Sequence, residues 1–269
     1  MLASTYKTTG VVIGFLASAS PGLSQEADLA KKLSNPIAAL ISVPFQFNYD
    51  GRIGAPGNGK RATLNIQPVV PIPLGADWNV ISRTILPLSS QWNLAPGSGS
   101  QFGLSDVTQS LFLSPKEPGP GGLVWGVGPV IRLPSATDDR LGAGRWALGP
   151  TVVVLKQIGP WTVGALANHM WAVGGGTRSG AGDVNETFVQ PFISYTTPDA
   201  WTFTLNSEAS YDWTADKLTV PVNAVVSKLI KVGHQPVSLF VGLRYNAISP
   251  EAGPKGLGVR AGLTFLFPT

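Results

Sequence analysis

The sequence predicts an all-β protein, a transmembrane antiparallel β-barrel of about twelve strands, and three observations lead to this prediction. Only 13% of the 269 residues are Asp, Glu, Lys or Arg, about half the share found in a typical soluble domain. No stretch approaches the roughly 20 consecutive apolar residues that a membrane-spanning helix needs. From residue 41 onward the dominant hydrophobic period is two, as in strands with one apolar face. A closed barrel is the other structure that satisfies its backbone inside a bilayer.

The N-terminus has the features of a secretory signal peptide over residues 1–24. Lys7 supplies a positive charge, residues 10–19 form a short apolar core, and small residues with a proline follow up to a cleavage site expected after Ser24. The alternative is a buried N-terminal helix or strand. Residues 25–40 form a separate segment in which 26–33 could make two helical turns before Asn35-Pro36 ends them. We expect this segment to lie in the periplasm or to plug the barrel.

Residues 41–269 are predicted to form the barrel itself. The predicted strands are 41–49, 62–72, 78–87, 102–114, 121–133, 145–157, 160–173, 186–196, 200–213, 216–230, 236–247 and 257–267. In strand 200–213, Trp201, Phe203 and Trp213 share one face, and Asn206 and Asp212 share the other. The steps from Trp201 to Trp213, at about 3.3 Å each on a tilted strand, rise roughly 30 Å, which matches a lipid-facing band with two aromatic girdles. Soluble strands usually stop at about five or six residues.

Loop lengths support a barrel in the bacterial outer membrane, where periplasmic turns are short and extracellular loops are long. Long connections are expected at 50–61, 88–101, 134–144, 174–185 and 248–256, and shorter ones at 73–77, 115–120, 158–159, 197–199 and 231–235. The exception is Thr214-Ala215, a short connection on the long-loop side. An even strand count with this alternation predicts that both termini are periplasmic. The terminal strand ends in Phe267 followed by two further residues, an imperfect match to the aromatic signal that the barrel assembly machinery reads.

The polar face of the strands is predicted to line the lumen. The candidate lumen residues are Gln46, Asn48, Asn65, Gln67, Arg83, Asp106, Gln109, Arg132, Asn206, Glu208, Asp212, Asn223, Arg244, Asn246 and Arg260. These residues could set the selectivity of a pore, as rings of charge do in channels. They could equally pair with one another in a filled lumen, because a barrel of about twelve strands is intermediate between filled and open barrels. Inward-facing Phe188 and Phe192 could instead mark a hydrophobic path.

Little in the sequence indicates catalysis, a metal or a cofactor. Some outer-membrane barrels are lipid hydrolases with a Ser, His and acid or amide constellation, but His169 is expected on the lipid-facing side and His234 in a short turn. No Cys is present and no His pair has ligand spacing, so no metal site or cofactor is predicted. The net charge is +4, but the Lys and Arg residues are scattered singly, which argues against nucleic-acid binding.

Several blocks of the mature chain resemble a family of Gram-negative outer-membrane proteins. These blocks are LAKKLSNPIAALISVPFQFNYD, LNIQPVVPIPLGADWNVISRTILP, FGLSDVTQSLFLSP, WGVGPVIRLPSATD, LGAGRWALGPTVVVLKQIGPWTVGALANHMWAVGG, VQPFISYTT and QPVSLFVGLRY. Members of the family are often labelled as transporters, some carry the misleading name neuromedin U, and they look related to the barrels associated with the meta pathway of phenol degradation. The resemblance implies a barrel and passage of small molecules, and it implies no catalytic residues.

The sequence therefore predicts an exported outer-membrane channel for passive passage of small molecules, hydrophobic ones included, and not an enzyme. Its expected surroundings are outer-membrane lipid and lipopolysaccharide, and the solute is not identified. A closed-lumen barrel that acts in adhesion or envelope structure through its loops is the alternative. A lipid hydrolase is a third hypothesis, and a soluble secreted β-sandwich is a competing fold.

Overall fold

The computed structural model describes residues 21–176 and 183–268, with side chains from residue 25 onward. It contains one long helix, α1 (Pro21–Leu33), followed by a single antiparallel sheet of 15 strand segments. The segments are β1 (Ile41–Ile53), β2 (Gly59–Ile66), β3 (Val69–Leu74), β4 (Trp78–Trp92), β5 (Ser100–Leu104), β6 (Val107–Pro115), β7 (Leu123–Leu133), β8 (Trp146–Ile158), β9 (Trp161–Gly174), β10 (Asn185–Thr196), β11 (Trp201–Ser207), β12 (Ala209–Asp212), β13 (Lys217–Val232), β14 (Gln235–Ile248) and β15 (Gly256–Phe267).

The sheet closes on itself because its last strand pairs with its first, from Ile41 opposite Phe267 to Tyr49 opposite Val259. Three strand positions hold two consecutive segments each, namely β2 with β3, β5 with β6, and β11 with β12, so the segments fill twelve positions. The predicted antiparallel twelve-stranded barrel is therefore confirmed. The connection between β12 and β13 is the expected short one. We call the end with the longer connections the long-loop end and the opposite end, where α1 lies and β15 ends, the short-turn end.

The three interruptions of the wall have different causes. Between β2 and β3, Pro68 lacks an N–H to donate, but the pairing with β4 resumes unchanged on the far side. Between β11 and β12, Glu208 is the one intervening residue and the register is again kept. Between β5 and β6, the register against β4 shifts by one residue, since Leu104 faces Leu88 but Thr108 faces Ile85. This last interruption is a β-bulge, which exchanges the inward and outward faces of the chain.

The outer face of the barrel is apolar and carries aromatic residues near both ends. On β8, for example, Leu148, Val152 and Val154 face outward and are exposed, as expected for a lipid-facing surface. Near the short-turn end Trp161 packs edge-on against Tyr195, and near the long-loop end Tyr211 packs against Trp213 in the same way. Aromatic side chains in these positions match the two interfacial girdles of a membrane barrel.

Helix α1 lies across the bore at the short-turn end. Its residues Leu29 and Ala30 are buried against the inner wall in a cluster with Leu40, Ala200, Leu229 and Leu266. Glu26 forms an ion pair with Lys231, N···O 3.8 Å, and the carbonyl of Lys31 accepts a hydrogen bond from Gln157, N···O 3.0 Å, on the other side of the barrel. The helix ends at Leu33 because Asn35 precedes a proline. The segment thus fills the opening, one of the two locations expected from the sequence.

Behind the helix the chain turns inward and places Ile37 in the lumen. Ile37 is packed among buried side chains of the inner wall, namely Ile81, Phe112, Val153, Leu155 and Leu166. Gly126 lies beside it, and a Cβ there would approach the Ile37 Cδ1 to 3.2 Å. Phe188 and Phe192 also pack against this cluster. The two rings therefore belong to an apolar packing unit around Ile37, and the hydrophobic path expected through them is occupied by that side chain.

No helix among the described residues is long and apolar enough to cross a membrane. The predicted signal peptide lies outside the described residues except for its last four, whose backbone forms the first turn of α1.

Candidate functional site

The candidate site is the polar interior of the barrel, because most of the side chains predicted to line the lumen lie on its inner face. Three of the predicted residues are buried in the interior: Asn48, Asn223 and Arg260 are 8%, 0% and 3% exposed. Asn65 lies opposite Gln46 in the β1–β2 ladder and so shares its face. Most of these residues fall into three groups along the bore, and Gln109 lies on the outer face.

The central group is a set of paired charges that we call the ionic layer, formed by Asp50, Glu208, Arg244 and Arg260. One carboxylate oxygen of Glu208 accepts from Arg244 Nη1 at 2.7 Å and from Arg260 Nη2 at 2.8 Å. Arg244 also lies 3.4 Å from Asp50, measured from Nε to Oδ1. Two arginines are thus balanced by two carboxylates, which is the arrangement that makes buried charges tolerable.

Amides add further hydrogen bonds to the ionic layer. Asn48 Oδ1 accepts from Arg260 Nε at 2.8 Å, and Asn246 Nδ2 donates to Asp50 Oδ1 at 3.2 Å. Asn223 is fully buried and donates to Asn206 Oδ1 at 2.8 Å. The layer joins β1, β13, β14 and β15 to the interruption between β11 and β12. It therefore crosslinks one side of the inner wall and occupies the middle of the lumen.

A second group lies between the ionic layer and α1, around what we call the inner cavity, a space of about 260 Å³. Arg83 and Arg260 line it, together with hydroxyl side chains such as Thr204 and the rings of Phe192 and Phe240. Arg83 Nη2 donates to the Oε1 of Gln67 at 3.1 Å. Gln46 also faces this space. The cavity combines positive charge with an apolar wall.

A third group surrounds a vestibule of about 470 Å³ at the long-loop end. Arg132 and Glu186 form an ion pair across it, N···O 2.8 Å, between β7 and β10. Asp212 lines the same space, and its Oδ1 accepts from the N–H of both Thr214 and Ala215 at 2.9 Å, so it also fixes the turn after β12.

Asp106, in the bulge between β5 and β6, holds loop 134–144 over the vestibule. Its two carboxylate oxygens accept from the N–H of Ala136 at 3.2 Å and of Ala143 at 2.7 Å. Leu141 and Ala136 in this loop are buried. The bulge thus directs Asp106 to an anchoring position.

Gln109 does not line the lumen, so that prediction is wrong. Ser110 and Phe112 are buried on the inner face, and Gln109, one residue before Ser110, therefore points to the outer face. There it accepts from Thr84 Oγ1 at 2.5 Å and donates to Ser82 Oγ at 3.0 Å. The physical reason is the bulge at 105–106, which reverses the alternation that a continuous strand 102–114 would have.

Among the interior residues that sequence reasoning missed are Asp50, Gln91 and Glu186. Asp50 and Gln91 were assigned to long loops, but β1 and β4 extend past them. Their positions continue the inward alternation of Asn48 and Ser89, a signal that could have identified them. Glu186 was predicted as the start of a strand without a role. Its pairing with Arg132 joins strands that are not neighbours, and no local pattern in the sequence reports such a contact.

His169 lies on the outer face near the long-loop end, as expected. Its Nδ1 is 2.7 Å from Thr187 Oγ1, and its ring is 4.2 Å from that of Trp171. Thr187 also accepts from the indole N–H of Trp213 at 2.8 Å. Within the described part of the chain, His169 Nε2 is buried without a hydrogen-bond partner, so no acid or amide orients the ring as a hydrolase triad requires.

Among the described residues, no group of three or more His, Cys, Asp or Glu side chains is arranged to hold a metal ion.

Comparison with solved structures places the fold among outer-membrane barrels. No family model and no curated protein matches the chain. The structure resembles the COG4313 outer membrane channel from Pseudomonas putida F1, with a TM-score of 0.67 and 12% identity, over 85% of this chain and 96% of that one. It is less similar to the KdgM porin, with a TM-score of 0.49 and 10% identity over 84% and 99% of the two chains. A similar value, 0.47 at 13% identity over 91% and 97%, is found for the Salmonella typhi outer membrane phospholipase.

The likeness to the COG4313 channel supports the fold class that the structure shows. A closed antiparallel barrel with an apolar exterior, aromatic girdles and a polar interior is an outer-membrane β-barrel with a porin-like fold. At 12% sequence identity, this likeness is evidence for the fold alone.

Proposed function

We propose that the protein is a non-enzymatic channel of the outer membrane for small polar solutes, closed at the short-turn end by α1 in the conformation described. The observation that supports this most is the division of the lumen into the vestibule, the ionic layer and the inner cavity. Both spaces are lined by charged and hydroxyl side chains, and an apolar outer wall encloses them. Such an interior suits hydrated or charged solutes better than the hydrophobic ones expected from sequence.

The proposal includes the orientation and the route of export expected from the sequence. The short-turn end would face the periplasm, so α1 would block the periplasmic exit of the lumen. The signal peptide would be removed near Ser24, and the mature chain would be inserted by the barrel assembly machinery among outer-membrane lipid and lipopolysaccharide.

Planar-bilayer recording of the refolded mature chain tests this function. We compare it with a variant that lacks residues 25–33, which removes the helix but keeps Ile37, and with Glu26→Gln, which removes only the ion pair to Lys231. We expect small or rare openings from the mature chain, a conductance several-fold larger from the deletion variant, and an intermediate opening frequency from Glu26→Gln. Heat-modifiable mobility in electrophoresis establishes that each barrel is folded.

The opposite result supports the closed-lumen alternative. If the deletion variant is folded but conducts no more than an empty detergent control, the ionic layer and the Ile37 cluster seal the barrel without the helix. The protein would then act through its loops or as a structural component of the envelope.

A further inference from the structure

Arg83 differs in its partners from Arg132, Arg244 and Arg260, the other arginines that the sequence placed in the lumen; Arg61, nearer the long-loop end, likewise donates to an amide, that of Gln91, at 3.3 Å. Arg132, Arg244 and Arg260 each form an ion pair with a carboxylate. Arg83 donates to the neutral amide of Gln67, and within the described ranges 21–176 and 183–268 no carboxylate oxygen lies within 4.0 Å of it. Glu208 attracts Arg83 from a longer distance, without contact. A cation in the interior of a barrel without an anion in contact is unfavourable, and an anion from solution could supply that contact.

The surroundings of Arg83 indicate what kind of anion the inner cavity accepts. The lining also includes the hydroxyl side chains Ser194 and Thr204, which lie 2.8 Å apart and share one hydrogen bond, so one O–H of the pair can donate to a ligand. The same cavity is bordered by Phe192 and Phe240, which offer an apolar surface. This combination fits an organic anion that has one charged group and an apolar body.

The size of the cavity limits the ligand further. The volume of about 260 Å³ lies just below the roughly 300–1,000 Å³ of sites that hold drug-sized ligands, so it suits a small molecule. Gly164 contributes to this shape, because a Cβ there would come within 2.8 Å of the Phe192 ring. A long oligomer would not fit in the space between α1 and the ionic layer.

Arg83 also lies between two spaces. A side cavity of about 150 Å³ lies between residues 32–40 and the wall, and it shares Arg83, Gln67 and Pro44 with the inner cavity. In this part of the wall β1 and β3 are joined by a single residue pair, Ser42 with Val69. A solute leaving the inner cavity at the edge of the helix would therefore contact the guanidinium of Arg83.

We propose that the inner cavity is a binding site for small organic monoanions with an apolar body, such as aromatic or branched carboxylates, and that Arg83 is its anion-binding residue. This inference rests on the proposed channel function, since it names the class of solute that the channel selects. Arg83 binds the carboxylate, one hydroxyl group donates a further hydrogen bond to it, and Phe192 and Phe240 contact the body of the solute.

Equilibrium binding to the detergent-solubilised mature chain tests the site without requiring conduction. The probes are benzoate, its neutral isostere benzamide, and acetate, titrated by calorimetry at neutral pH. We expect benzoate to bind, and benzamide and acetate to bind about tenfold more weakly or not measurably, since one lacks the charge and the other the apolar body. Equal binding of acetate and benzoate would overturn the apolar part of the inference, and equal binding of benzamide would overturn the role of charge.

Variants then locate the site. Arg83→Gln is expected to weaken benzoate binding about tenfold, the effect of losing one charge-assisted hydrogen bond, whereas Arg83→Lys should retain part of the affinity. The matched control is Arg52→Gln, a loss of the same charge at the long-loop end, where Arg52 Nε donates to the carbonyl of Lys255. Loss of binding in the control, or retention in a folded Arg83→Gln, contradicts the proposal.

The same chains in planar bilayers separate this inference from the channel function. Conduction without benzoate binding leaves the channel standing and refutes the site. Benzoate binding that depends on Arg83 in a barrel that never conducts supports the site and refutes the channel.

Discussion

Glu208 is the residue on which the middle of the lumen depends most directly. Its carboxylate is the common acceptor of Arg244 and Arg260, and the second of these is almost fully buried. Glu208 is the one residue between β11 and β12, and the register against β13 is the same on both sides of this interruption. The interruption thus places the carboxylate of Glu208 where it pairs with Arg244 of β14 and Arg260 of β15, beyond β13.

Removing that charge without removing its size is a direct test. Glu208→Gln leaves two arginines facing an amide, and one of them, Arg260, is only 3% exposed; because Glu208 itself is 20% exposed, we expect a cost near the lower end of the about 3–5 kcal/mol for breaking a buried pair. We expect a loss of that order in the free energy of unfolding, measured by urea denaturation in phospholipid vesicles with tryptophan fluorescence. Glu186→Gln is the control, because the partly exposed pair of Glu186 with Arg132 should cost less than about 1 kcal/mol. Similar losses in both variants would show that the ionic layer is no more important to stability than the vestibule pair.

Side chains at or beside the strand interruptions form several of the contacts inside this barrel. Pro68 ends β2 next to Gln67, the acceptor of Arg83. The bulge between β5 and β6 holds Asp106, which binds the backbone of loop 134–144. β-Bulges often redirect a side chain in this manner. In an otherwise regular sheet, these positions carry the contacts that shape the lumen.

The loop anchor at Asp106 can be tested by proteolysis. Asp106→Ala removes the acceptor of two backbone N–H groups, each bond being charge-assisted, so loop 134–144 should leave its inward position more often. We expect trypsin to cleave after Arg140, an exposed residue of this loop, about tenfold faster or more. Mass spectrometry of the products identifies the bond that is cut.

The control for this experiment is Asp212→Ala, which removes a carboxylate that binds two N–H groups in a different turn. Cleavage after Arg140 should remain at the original rate in that variant. An equal acceleration in both would indicate general loosening of the long-loop end, and no acceleration in Asp106→Ala would mean that other contacts, such as Arg140 with Ser98, hold the loop.

Sequence alternation predicted the strands well where hydrogen bonding is regular and failed where it is not. In β11, Trp201 and Phe203 are exposed and Thr202 is buried, as the pattern required. At the bulge the same counting put Gln109 on the wrong face, because one extra residue reverses all positions after it. The sequence contains no local marker for the bulge, since a Ser-Asp pair such as Ser105-Asp106 also occurs in regular turns.

Contacts between distant strands set the limit of sequence reasoning for the site. The polar side chains of the lumen were predictable from their period, but the pairing of Glu208 with Arg260 depends on the curvature of the closed wall and on the break before β12. The same holds for α1, whose helical turns were predicted but whose position across the bore follows from burial of Leu29 against Leu229 and Leu266. The hydrophobic period of a strand identifies which of its residues point inward, but it does not identify the strand or helix that those residues contact.

The orientation of the whole molecule decides what the plug does. If the short-turn end is periplasmic, the vestibule meets solutes first and α1 controls release into the periplasm; in the opposite orientation α1 would control entry from outside. Loop lengths favour the first arrangement, because the longest connections lie at the end away from α1.

Single cysteines can establish this orientation, since the chain contains none of its own. Glu251→Cys lies in the connection before β15 at the long-loop end, and Glu117→Cys lies in the connection before β7 at the short-turn end; both positions are exposed. In intact Gram-negative cells that express the protein, a membrane-impermeant maleimide too large for the lumen should label position 251 and leave position 117 unlabelled. Both should react after the outer membrane is permeabilised. Labelling of 117 alone in intact cells would reverse the barrel and make α1 an external plug.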